Sequence, residues 1–181
     1  MQKRELSRRA FFVKTGVSVG GAALLYSCHE PGETWSFLTP SEAELLDVLI
    51  GRIIPADEDP GAREAGVIYF LDRQLAGIYA QHQQSYREGL KSLESTAQAV
   101  HGKSFVDFEE AEQIAFLERL EQNDVPRDHW TDRSPSSFFG MVVDHTMQGF
   151  YGSPIHGGNK NYASYKMLKI EMPIDYEGDT V

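Results

Sequence analysis

Cysteine is almost missing from this chain: among 181 residues there is one, Cys28. A single thiol closes no internal disulfide, supplies no thiolate set for an iron–sulfur cluster, and leaves no Cys-x-x-Cys-His for haem attachment. No G-x-G-x-x-G follows a strand-like pattern, and no G-x-x-x-x-G-K-[ST] loop is present, so neither a dinucleotide or flavin fold nor a phosphate cradle is expected. Basic residues are scarce, 17 against 27 acidic ones. The resulting formal charge of −10 opposes non-specific binding to nucleic acid. No segment alternates apolar and polar residues over more than a few positions, which argues against half-buried β-strands.

What is present begins at the N-terminus. Lys3, Arg4, Arg8, Arg9 and Lys14 precede an uncharged run from Thr15 to Ser27. The arginine pair stands in Ser7-Arg8-Arg9-Ala10-Phe11-Phe12. As a helix the run measures only about 20 Å at roughly 1.5 Å per residue, short of a hydrocarbon core of about 30 Å. Residues 1–28 therefore read as a twin-arginine export leader, with Arg8 and Arg9 as the signal to the twin-arginine translocase. That route carries cargo already folded, commonly because a cofactor or partner was loaded in the cytoplasm. A small chain that uses it without a cofactor motif is expected to leave the cell in company. The end of the run, Leu25-Tyr26-Ser27-Cys28, is similar to a lipoprotein processing box. The expected location is the periplasm, with Cys28 either a lipidation site anchoring the chain to the membrane or a free thiol near an ordinary cleavage site.

Beyond the leader, 12 basic and 26 acidic side chains remain, a formal charge of −14. Residues 29–38, with Pro31 and Gly32, read as a tether, and residues 39–181 as one helical domain. Thr39, Pro40 and Glu42 form the start signal of a first helix, whose stripe is Leu45, Leu46, Leu49, Ile50 and Ile53, with Pro55 as its stop. A second helix is expected over Ala65 to Tyr79, burying Ile68, Leu71, Leu75 and Ile78. A third runs from about Gln83 to Val100 on Tyr86, Leu90, Leu93 and Ala97, closed by Gly102. A fourth, capped by Asp107 with Glu110, carries Ile114, Leu117 and Leu120. A fifth opens at Ser134-Pro135 with Phe138, Phe139, Val142, Val143 and Met147 inside. The fold class is all-α: a compact bundle of about five helices, followed from Gly149 by an irregular, Gly/Tyr-rich C-terminal strap.

Candidate chemistry is sparse. The acidic loop Asp57-Glu58-Asp59 lacks EF-hand spacing, because Gly61 comes one residue too early and no Glu stands at the twelfth position. It reads as a solvated turn. His129, His145 and His156 are too widely spaced for a helical ligand pair, though together they define an alternative, an independent periplasmic metal-binding or ligand-binding protein. The densest signal is Gly149 to Asn159, with four glycines among eleven residues. Glycine at that density marks unusual backbone or close approach to another chain. Phe150, Tyr151, Pro154, His156, Gly157, Gly158 and Asn159 are accordingly candidate partner-interface residues. A bulky residue at Gly158 is expected to weaken partner binding while leaving the bundle folded.

Two blocks carry a resemblance. The first is Ile54-Pro55-Ala56-Asp57, Pro60-Gly61-Ala62 and Ala65-Gly66-Val67, ending in Phe70-Leu71-Asp72. The second is Phe138-Phe139, Thr146, Gly149-Phe150-Tyr151-Gly152, Pro154 and His156-Gly157-Gly158-Asn159. With the leader, they resemble the small (gamma, or subunit 3) chain of membrane-bound gluconate 2-dehydrogenase and related flavoprotein sugar dehydrogenases, over roughly Leu38 to Leu168. The resemblance implies a small subunit with no catalytic, cofactor-binding or metal-binding residues of its own. Its implied partner is a large subunit of the glucose–methanol–choline (GMC) type that holds FAD, often joined by a c-type cytochrome. The large subunit lacks an export signal in such complexes, so this chain is expected to serve as its escort. A lipid-anchored adaptor that binds a partner without exporting it is the remaining alternative.

Overall fold

The computed structural model describes residues 34–170. Arg8, Arg9 and Cys28, and with them the leader, the candidate anchor and half of the tether, lie outside those residues, as do residues 171–181. The described residues form α-helices and single 3-10 turns, with no strand among them.

Helix α1 (Pro40–Ile53) starts as its sequence predicts. Thr39 Oγ1 accepts the Glu42 amide at 3.3 Å, and the Glu42 carboxylate accepts the Thr39 amide at 2.8 Å. This reciprocal pair satisfies two amides that a helix start leaves open, and Pro40 stands where no amide hydrogen is needed. Leu46, Leu49 and Ile50 are wholly buried.

Helix α2 (Val67–Ala76) is shorter than its apolar pattern predicts, at both ends. Gly66 takes the left-handed conformation, φ +67°, so the helix cannot begin before Val67. After Ala76 the chain leaves the helical path at Gly77, and the Tyr79 amide folds back onto the Gln74 carbonyl at 2.7 Å. That turn swings Ile78, expected inside, to 74% exposure.

Helix α3 (Gln83–His101) buries Tyr86, Leu90, Leu93 and Ala97 and ends at left-handed Gly102, all as predicted. Helix α4 (Glu110–Glu121) is capped by Glu109 and Glu112 rather than by Asp107 and Glu110. Residues Phe105–Asp107 instead make a 3-10 turn that buries Phe105. The inward face of α4 is Gln113, Phe116, Leu117 and Leu120, which leaves Ile114 42% exposed. Gln113 is buried because both ends of its amide are satisfied: it donates to the Phe105 carbonyl at 3.2 Å and accepts from Arg52 Nε at 2.7 Å.

Helix α5 (Pro135–Tyr151) is the axis of the bundle and touches α1, α2, α3 and α4. Two glycines allow the approach. A Cβ on Gly89 of α3 would lie 2.1 Å from the Phe138 ring, and one on Gly149 of α5 would lie 2.7 Å from the Phe70 ring. Phe138 and Val142 are fully buried, whereas Met147, expected inside, is 42% exposed.

The segment entering the fold is fastened by one carboxylate. Asp72 is 6% exposed and accepts the amides of Ser36, Phe37 and Leu38 at 2.8, 2.9 and 2.9 Å. Arg87 closes the other side, donating to Glu42 at 2.7 Å and to the Phe37 carbonyl at 3.0 Å, with its guanidinium 4.4 Å from the Phe37 ring centroid.

The strap after Tyr151 is irregular, as expected, and contains a short sixth helix, α6 (Ala163–Met167). Asn159 is its staple: fully buried, it donates to the Gly152 carbonyl at 2.8 Å and accepts the Ser164 amide at 2.9 Å.

Candidate functional site

The two blocks quoted above meet in space. The Lys160 amide donates to the Ala65 carbonyl at 2.9 Å, Arg73 donates to the Ile155 carbonyl at 3.3 Å, and Gly158 lies against Phe70. Between them is an open groove of about 560 Å³. Phe70, Ile78 and Tyr79 line one side, Met147 and Tyr151 the other, and His156 stands at the strap. Its polar groups are few, chiefly the amides of Gln74 and Gln148.

Behind the groove is a stack of aromatic and imidazole rings. Tyr79 lies on His145 with ring centroids 4.3 Å apart and planes 18° from parallel, while its hydroxyl donates to Gln148 Oε1. On the far side the Tyr86 hydroxyl is 3.0 Å from His145 Nδ1. Burial first, and then the neighbouring Tyr79, push the Tyr86 hydroxyl pKa up, so it stays protonated beside Nδ1, to which it is hydrogen-bonded.

His82 completes the cluster, its ring centroid 5.2 Å from that of His145. Burial, and secondarily His82, hold His145 below its ordinary pKa of 6.5, with Asp144 opposing them weakly. The folded state thus binds fewer protons at this site than the unfolded chain does. Stability contributed by neutral His145 is present above pH 6.5 and is lost as the pH falls through the depressed folded value. Denaturant midpoints measured against pH should fall over that window, and His145→Gln should remove that part of the slope. An unchanged slope in the variant would show that other groups cause it.

The candidate interface residues divide into two groups. Phe150, 1% exposed, together with buried Gly158 and Asn159, faces inward and holds the strap on the bundle. Tyr151 and His156 are exposed, and Pro154 and Gly157 half-buried. The expectation for Gly158 is corrected here. A Cβ at that position would lie 2.3 Å from the Gly149 carbonyl oxygen, so a bulky residue there disrupts packing instead of isolating a docking effect.

The three histidines are not gathered. His129 offers its carbonyl to Ser92 at 2.6 Å, His145 is buried against Tyr86, and His156 lies on the groove. Among the described residues no group of three or more His, Cys, Asp or Glu is placed to hold a metal ion. Asp57 and Asp59 form a local turn, the Asp59 amide donating to Asp57 Oδ1 at 2.9 Å, with Glu58 also exposed.

Sequence reasoning missed the most exposed members of this surface, Ile78 and Ile155, at 74% and 62%. The signal was available: Gly77 precedes Ile78 directly, and glycine next to an apolar residue often marks a turn rather than a continuing helix. In comparison with known proteins, the family described as gluconate 2-dehydrogenase subunit 3 matches residues 40–171. No curated protein and no solved structure matches.

Proposed function

This chain belongs to the gluconate 2-dehydrogenase subunit 3 family, and from that premise we propose that it is the non-catalytic small subunit and export escort of a periplasmic, FAD-dependent sugar or polyol dehydrogenase. Membership makes it a subunit of a dehydrogenase complex. The proposed partner is a large GMC-type flavoprotein subunit that holds the FAD and oxidises the CH–OH group. A c-type cytochrome subunit would receive the electrons. The twin-arginine leader takes the assembled pair across the membrane, and Cys28, once acylated, keeps it there.

The observation supporting this reading is the groove itself. The two blocks of the family resemblance contribute Phe70, Tyr151, Gly152 and His156 to its lining, and Ile78, Met147 and Tyr151 stand open around it. A contiguous apolar surface of this kind marks a contact site on a protein that works in an assembly. An affinity purification of the chain from its native periplasmic and membrane fractions tests the reading. A larger, flavin-absorbing protein in stoichiometric amount is the expected companion, identified by mass spectrometry. A lone, flavin-free chain would overturn it.

A further inference from the structure

The groove and its surroundings carry a charge pattern that narrows what binds there. The chain as a whole has a formal charge of −10. Residues 65–86, which supply one wall, contain a single acid, Asp72, and its carboxylate is already engaged by three amides. Residues 145–170, which supply the other wall and the strap, contain no acid and three lysines, Lys160, Lys166 and Lys169.

Six of the Lys and Arg residues elsewhere in the described fold are ion-paired: Arg52, Arg63, Arg87, Lys103, Arg119 and Arg133. Among the described residues Arg73, Lys91, Arg127, Lys160, Lys166 and Lys169 have no such pairing. The Arg73 guanidinium spends one donor on the Ile155 carbonyl at 3.3 Å, beside the groove. Four of the six cations left unpaired among the described residues thus fall in the two segments that build the groove and the strap, Lys91 and Arg127 being the other two.

The shape selects between classes of occupant. Ile78 and Ile155 protrude at the edge of the groove, but between Ile78, Met147 and Tyr151 the surface is a concavity of about 560 Å³, which a flat bilayer does not fill. A concavity of that size accepts a projecting side chain or two from another polypeptide. Resting on the subunit reading above, we infer that the groove seats an apolar segment of the flavoprotein subunit flanked by carboxylates, with the apolar side chain against Ile78, Met147 and Tyr151 and a carboxylate on Arg73. Opposite charge at the rim orients the approach, and the acid-rich remainder of this chain repels the same partner surface, so docking is confined to one face.

The test uses the full chain co-expressed with its flavoprotein subunit. Retained flavin per mole of tagged small subunit is the readout, at low and at physiological salt. Ile78→Glu places a charge at an exposed turn position and is expected to lower retained flavin about tenfold or more. Arg73→Glu and Arg73→Gln are expected to lower it less and to flatten its dependence on salt. Ile114→Glu, a change at an exposed apolar residue of α4 away from the groove, is expected to behave as wild type. Helical circular dichroism unchanged in all four variants keeps folding out of the comparison.

Wild-type capture of flavin that Ile78→Glu and both Arg73 variants leave intact would overturn the groove assignment and leave the subunit reading standing. Failure of the wild type to retain flavin would remove both. The inference also falls if Ile78→Glu instead abolishes flotation with phosphatidylethanolamine–phosphatidylglycerol vesicles, or halves the mass of the isolated chain in light scattering. Those outcomes would give the surface to a membrane or to a second copy of the chain.

Discussion

With Arg8 and Arg9 both replaced by lysine, the flavoprotein subunit is expected to accumulate in the cytoplasm, and periplasmic dehydrogenase activity to fall to background. The substitution keeps the positive charge of the proposed leader and leaves every residue from Thr34 to Ile170 unaltered. Only the guanidinium pair is lost, and a receptor that reads two planar forks does not accept two ammonium groups in their place. Fractionation followed by flavin measurement checks the result. The stranded protein should be flavin-loaded and bound to the small subunit, because assembly precedes export in this scheme. A flavoprotein that still reached the periplasm would leave the small chain as an adaptor and end the escort proposal.

A second large effect is expected inside the bundle, from the smallest substitution available. Gly89→Ala in a helix interior ordinarily stabilises by about 0.5–1 kcal/mol, through the lower entropy of the unfolded chain. Here the added methyl would fall 2.1 and 2.2 Å from two atoms of the Phe138 ring. That ring is fully buried and packs edge-on to Tyr86 and at a tilt to Trp130, so it has nowhere to move. The sign should reverse, with a net loss of about 2–3 kcal/mol from overpacking. For a domain of this size that is a fall in Tm of about 5–10 °C. Phe138→Leu supplies the control: in its background the alanine should cost little, giving a coupling of about 2 kcal/mol in a double-mutant cycle. Equal penalties in both backgrounds would place the strain elsewhere.

The parts of the fold that were legible beforehand are those whose chemistry is local. Thr39 with Glu42, Ser134 with Pro135, and Gly102 each act on a backbone a few residues away, and each cap stands where the sequence puts it. Periodicity also identified the apolar side chains of the inner face of α3, Tyr86, Leu90, Leu93 and Ala97, but not the Ser85, Gly89, Ser92 and Thr96 buried beside them. It failed at Ile114 and Met147, because spacing says which residues share a face but not how far a neighbouring helix covers it, and at Ile78 because α2 ends in the turn at Gly77. The buried polar residues were illegible for a related reason. Asp72 is satisfied by amides 34 to 36 residues earlier in the chain, and Gln113 by an arginine 61 residues earlier. The site was half visible: glycine density marked the strap, but only tertiary packing separates inward Phe150, Gly158 and Asn159 from outward Tyr151 and His156.

The fastening at Asp72 also governs how the domain bears load. Three consecutive amides hang from one carboxylate, and the Arg87 clamp holds Phe37 from the other side. Tension arriving along the chain from the N-terminal direction meets these bonds, Ser36 first, before it reaches the first turn of α1. A pull on the first residues would therefore be resisted by an aspartate on α2 before it could fray the helix nearest the pull.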